Sequence, residues 1–287
     1  MIHQAFRDYP GAKLDEHWFL YDPPTLRRAK QFAPHQAAKS LPAKSIPSTV
    51  SREAVRFLTI RMDHPERYKL PPWISTLPHL AYLQLPTSFV KTLQVGDLPA
   101  SLEVLELDGE GKAAFDERIR LPTLRWFLGG GIVVKFREAS FPSLYYLTLQ
   151  LDKHRLMLPE VVAARNLRGL GISNVDSCEV FGELAGSSIE FLGLAGGKID
   201  SLRGIEKLQD LTNLTLVGLK HVSDLTPLLR LPMLREVELF ACTRIQNPTI
   251  FAQMPQLRKL HIKDCGNLPL NELRLALQQP LDELVLY

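Results

Sequence analysis

The 287-residue chain has only three cysteines, at 178, 242 and 265. They cannot all pair within one molecule, so a disulfide framework is excluded and a reducing compartment is favoured. Charge of one sign is also scarce: 34 Lys and Arg face 31 Asp and Glu, a formal net charge of +3. Residues 1–60 carry nine of the basic and five of the acidic residues, so the rest of the chain is close to neutral. A body without basic excess is a poor electrostatic nucleic-acid binder. No apolar run approaches the roughly 18 residues of a membrane helix, and mean hydropathy is −0.04. The opening MIHQAFRDYPGAKLDEHWFL lacks the basic-then-apolar layout of a secretory signal, so the expected compartment is cytoplasmic. Catalytic signatures are missing as well: there is no HExxH, CxxC, GxSxG or calcium loop. The nearest decoy is GLAGGK (193–198), which has three residues between the outer glycines where a phosphate loop needs four, and Ile199 after the lysine. It reads instead as a loop that needs permissive backbone.

What is abundant is leucine in a fixed pattern. The motif apolar-x-x-apolar-x-apolar recurs eleven times, first at Val55-Leu58-Ile60 and last at Leu281-Leu284-Leu286. The first apolar positions are 55, 80, 102, 124, 144, 167, 189, 211, 234, 257 and 281, in steps of 20 to 25 residues. Each core is short and alternating, so it predicts one strand with one buried face. A single unit cannot bury that face, but stacked neighbours can. A second apolar pair, such as Val222/Leu225 or Ile245/Ile250, closes each unit on the far side. Pro78, Pro122, Pro142, Pro232 and Pro255 precede strands, where a residue without an N–H ends one turn and starts an extended segment.

The segments LREVELFACTRI (234–245) and LRKLHIKDCGNL (257–268) resemble the leucine-rich repeat consensus, with Cys242 and Cys265 at its Asn/Cys position. The stretch 211–234 resembles the 22-residue internalin-like class. The resemblance covers about 235 residues and implies an α/β leucine-rich-repeat solenoid: a curved parallel sheet on the concave side, with short helical or irregular convex segments. The domain division is therefore 1–52, a Pro-rich irregular cap or arm, and 53–287, the solenoid. Trp18, Phe19 and Tyr21 are expected to cap the first repeat, and a short helix to start at Thr25. The consensus Asn is replaced by Ser88, Glu110, Ile132, Asp152 and Leu219, so irregular loops are expected after the strands. The three cysteines are expected as small core fillers.

Strand alternation then defines a candidate site. With the leucines pointing inward, the flanking residues face the concave side. Those columns place Tyr82, Trp126, Tyr146 and Phe191 outward, with Tyr145 and Arg125 beside them. Tyr, Trp and Arg dominate interface hot spots. Gly169, Gly171, Gly193 and Ala195 predict a bare central trough. Glu236 and Glu238 stand beside Lys259, His261 and Lys263, an arrangement that either neutralises itself across strands or contacts a charged partner. Gly129-Gly130-Gly131 marks a weak repeat, where a one-residue slip would bury Trp126.

These residues point to a non-enzymatic protein-binding module without cofactor or metal, holding a protein partner on its concave face. A free-standing repeat domain is similar to intracellular bacterial adaptor or immunity-type proteins. Two other readings stay open. One is an enzyme or enzyme-activating domain with Glu236, Glu238 and His261 in the trough. The other is a self-assembling protein, including a homodimer joined through the last strand near Leu284 and Leu286, since an uncovered edge strand invites pairing.

Overall fold

A computed structural model of the chain describes residues 52–54, 57–60, 69–129, 131–155, 157–266 and 268–287. The expected cap of Trp18, Phe19 and Tyr21 and the helix from Thr25 lie outside these residues. The chain divides into two compact units, Met1–Leu149 and Gln150–Tyr287.

In the first unit the leucine motif forms parallel strands β1 (Phe57–Thr59), β2 (Tyr82–Pro86), β3 (Val104–Asp108), β5 (Trp126–Gly129) and β7 (Tyr146–Gln150), hydrogen-bonded in that order. Strands β4 (Gly111–Ala114) and β6 (Ile132–Lys135) pair with each other in a separate parallel ladder. In the second unit β8 (Gly169–Ser173), β9 (Phe191–Ala195), β10 (Asn213–Val217), β11 (Glu236–Phe240), β12 (Lys259–Lys263) and β13 (Glu283–Leu286) follow one another as parallel neighbours. Its far side is crossed by short helices, α1 (Leu158–Ala163), α2 (Glu179–Glu183) and α3 (Leu270–Ala276), and by 3₁₀ turns.

Register follows the motif. Leu214 pairs with Leu192 and Val237, and Leu216 with Leu194 and Leu239. Leu83, Leu105, Phe127, Leu147, Leu170, Leu192, Leu214, Val237 and Leu260 are all buried. The second apolar pairs behave as expected, with Val222, Leu225, Ile245 and Ile250 in the core.

Strand entry is a hydrogen-bonded turn. Leu124 N donates to Leu121 O at 3.2 Å, Leu144 N to Phe141 O at 3.0 Å and Leu257 N to Met254 O at 3.0 Å. Pro122, Pro142 and Pro255 occupy the second position of these turns, where a fixed φ near −65° is pre-set and the missing N–H is not needed.

Strand exit departs from the expectation of irregular loops. In the second unit the residue after each of five consecutive strands is left-handed: Asn174, Gly196, Gly218, Ala241 and Asp264, with φ between 52° and 63°. Each of these amides donates to the residue closing the next strand's ladder: Asn174 N to Ala195 O at 2.8 Å, Gly196 N to Val217 O at 2.9 Å, Gly218 N to Phe240 O at 2.7 Å, Ala241 N to Lys263 O at 3.0 Å and Asp264 N to Tyr287 O at 3.1 Å. The same backbone hydrogen bond thus regularises the bend both where Cys242 and Cys265 occupy the consensus position and where the consensus side chain is missing. Gly, Asn and Asp tolerate this conformation, whereas the Cβ of alanine strains it. Ala241→Gly is therefore expected to stabilise the fold by up to about 1 kcal/mol, the relief of strain exceeding the added freedom of the unfolded chain. Urea denaturation would show it as a higher midpoint at unchanged slope.

Candidate functional site

The outward columns are where alternation puts them. Trp126 pairs with Val104 and Tyr146, and Phe127 with Leu105 and Leu147, so the weak repeat keeps its register and no slip occurs. At Gly129 a Cβ would lie 3.1 Å from Phe127 Cε1, so the small residue there serves close packing.

The exposure expected of those columns is not found in the first unit. Tyr82 is 4% exposed, Trp126 0% and Tyr146 3%. Trp126 and Tyr146 stack at 5.0 Å with planes 28° apart, and Tyr145 leans on the indole at 6.0 Å. Burial pushes the Tyr146 hydroxyl up to about 12. Tyr82 Oη donates to Glu106 Oε2 at 2.5 Å, and Gln84 Nε2 to Glu106 Oε1 at 3.3 Å. All four residues of β5 are buried, so this strand is enclosed on both faces. Open aromatic anchors at Tyr82, Trp126 and Tyr146 are thus corrected to interior residues. Alternation assigns a side chain to a face and says nothing of whether that face is wet. Arg125, next to Trp126, is exposed.

The bare trough is corrected too: Gly169, Gly171 and Gly193 are buried, and Ala195 is half-buried. Phe191 stands directly opposite Gly169 on the neighbouring strand and is half-buried.

On β11 to β13 the outward residues are half-buried or exposed, and polar groups pair across the strands. Lys259 Nζ sits 3.2 Å from Glu236 Oε1. Glu238 accepts a hydrogen bond from Thr215 Oγ1 at 3.1 Å and lies 3.7 Å from His261 Nδ1. His261 Nε2 is 3.1 Å from Glu283 Oε1, close in distance but off the line of a hydrogen bond. Lys263 Nζ lies 5.7 Å from the centre of the Tyr287 ring. The acidic neighbours of His261 are therefore Glu238 and Glu283 of its own sheet. The gap from Glu238 to His261 is an ion-pair distance rather than that of a base gripping its orienter.

In each unit, motif-bearing strands in parallel register with their leucines buried decide the architecture. The fold is a leucine-rich-repeat solenoid. Its Cys242 and Cys265 sit at equivalent ladder positions, buried as core fillers, with Cys242 N donating to Cys265 Sγ at 3.4 Å. Cys178 differs, being half-buried at the start of α2. No protein-family model and no curated protein sequence matches the chain. Among solved structures it is similar to an internalin (inlF) of Listeria monocytogenes, at 16% identity and a TM-score of 0.48, covering 90% of this chain and 77% of that one. It is also similar to an internalin C2 (inlC2) of the same species, at 21% identity and a TM-score of 0.40, covering 62% of this chain and 75% of that one. Among the described residues no group of three or more His, Cys, Asp or Glu could hold a metal, and no helix is long and apolar enough to cross a membrane.

Proposed function

We propose that this leucine-rich-repeat chain is a non-enzymatic protein-binding scaffold whose contact face is the outward side of β9 to β13. One observation carries the reading: a rigid ladder there combines the half-exposed rings of Phe191 and Phe240 with carboxylates already held across strands, Glu236 by Lys259 and Glu238 by Thr215. Side chains held by neighbours before a partner arrives lose little further freedom on binding. Aromatic rings beside satisfied charges supply apolar area within a polar setting, the composition of interface cores and rims. Arg125 of the first unit is a further contact candidate. A scaffold of this kind acts by occupying its partner, as adaptor and immunity-type proteins do.

Affinity capture from native lysate tests the reading, with wild type run beside a Phe191→Ala/Phe240→Ala variant. Both rings are partly exposed, so melting of the variant should stay close to wild type. A protein held by wild type and lost by the variant is the expected result. A partner kept equally by both would overturn this placement of the face, and the lack of any specific partner would overturn the scaffold reading itself.

A further inference from the structure

We propose that a basic groove in the first unit is a second docking site, for an acidic peptide segment of a partner protein, with Lys69 and Lys91 as its charge contacts and Val95 as its apolar contact. The proposal stands without the face on β9 to β13, because the groove belongs to a different part of the chain.

The groove encloses about 630 Å³ beside the 3₁₀ turn Thr87–Thr92, a volume in the range of ligand-sized clefts. Four charged side chains line it: Lys69, Lys91, Arg118 and Asp116. The carboxylate is already consumed. Asp116 takes two hydrogen bonds from the Arg118 guanidinium, at 3.0 and 2.8 Å, and a third from the Arg118 backbone at 2.9 Å. These hold its carboxyl down at about 2, the side-chain bonds being the larger cause. Arg118 and Asp116 therefore cancel, and the groove keeps the charge of two lysines. Neither Lys69 nor Lys91 has an ion pair among the described residues, and both are exposed.

The apolar contact is built rather than incidental. Val95 is 60% exposed, one of few large apolar side chains on the described surface. It sits on a turn closed from both sides: Gln94 N donates to Asp97 Oδ2 at 2.8 Å, and Asp97 N donates to Gln94 O at 3.2 Å. The left-handed Gly96, φ 90°, completes the bend. Leu93, buried at the base of the same groove, anchors the turn to the core. Two unneutralised ammonium groups beside a rigidly presented aliphatic side chain are complementary to a peptide that alternates carboxylates with an aliphatic residue. A small inorganic anion would leave the valine unused. A nucleic acid would need a longer basic track than two lysines provide.

Fluorescence anisotropy at low salt tests this with a fluorescein-labelled Glu-Glu-Leu-Glu-Glu peptide and its Gln-for-Glu analogue. The expected result is saturable binding of the acidic peptide alone, weakened about tenfold in a Lys69→Gln/Lys91→Gln variant, since each exposed charge contact is worth up to about 1 kcal/mol. Lys135→Gln, an exposed lysine on β6 outside the groove, should leave binding unchanged. Three outcomes would overturn the proposal. Equal weakening by Lys135→Gln would mean a diffuse field rather than a site. Undiminished binding to the double variant would place the peptide elsewhere. Tighter binding of oligo(dT) than of the peptide, lost in the double variant, would make the occupant a nucleic acid.

Discussion

Replacing Trp126 with alanine should cost about 3–5 kcal/mol of folding stability, the range for deleting a fully enclosed large aromatic. The indole is 0% exposed and stacked on Tyr146, in a strand whose four residues are all buried. Neighbours on parallel strands cannot close such a void without moving several repeats at once. Thermal or urea unfolding would measure the loss, and Trp126→Phe should recover part of it by keeping a ring in the stack. The contrast is Phe240→Ala on β11, which removes a half-exposed ring and should change stability by far less. Should Trp126→Ala melt like wild type, the indole would be at an open surface after all, and the aromatic columns of the first unit would return as contact residues. For the same reason, probing partner binding by alanine at Tyr82, Trp126 and Tyr146 would report on folding before it reported on recognition.

A second large effect is expected at Gly197. A Cβ there would lie 2.2 Å from the carbonyl oxygen of Val175, 2.4 Å from its nitrogen and 2.6 Å from its carbonyl carbon. All three are backbone atoms of the preceding repeat, so no side chain can swing aside. The residue is also left-handed, at φ 89°. Backbone overlap and the conformational penalty together predict a loss of about 2–5 kcal/mol for Gly197→Ala. The adjacent Gly196 is an internal control: it is left-handed too, at φ 62°, but has open space where its Cβ would go. Gly196→Ala should therefore cost only about 1–2 kcal/mol. Chemical denaturation of the two variants side by side measures the difference, and equal losses would refute the close contact with Val175. This pair also accounts for two glycines of GLAGGK: Gly197 lets two repeats touch, main chain to main chain, and Gly196 supplies the left-handed strand exit.

Periodic leucines made the architecture legible before any coordinates. Equivalent positions such as Leu194, Leu216 and Leu239 recur from repeat to repeat, and only a stack of parallel strands buries them together. Register was legible for the same reason, even at the weak repeat around Phe127 and Gly129. Exposure was not. Tyr82 and Trp126 on one hand, and Glu236 and Lys259 on the other, occupy equivalent outward positions, yet the first two are enclosed and the others half-open. A hint lay in composition: β5 reads Trp-Phe-Leu-Gly without a polar residue, as strands buried on both faces do, whereas β11 opens Glu-Val-Glu and β12 reads Lys-Leu-His-Ile-Lys. The left-handed exits were hidden because Asn174, Gly196, Gly218, Ala241 and Asp264 share a backbone conformation and no side-chain chemistry. The groove at Lys69 and Lys91 escaped a reading built on strands, since its residues come from the connecting segments.

The exit bends also bear on how such a chain can change over generations. Each turn of the second unit closes on the next through the same backbone bond, from a left-handed amide to the end of the following ladder. That joint asks for a shape and not for a particular side chain. An in-frame duplication or loss of one whole turn would leave matching ends to rejoin, and the coil could lengthen or shorten without inventing a new junction.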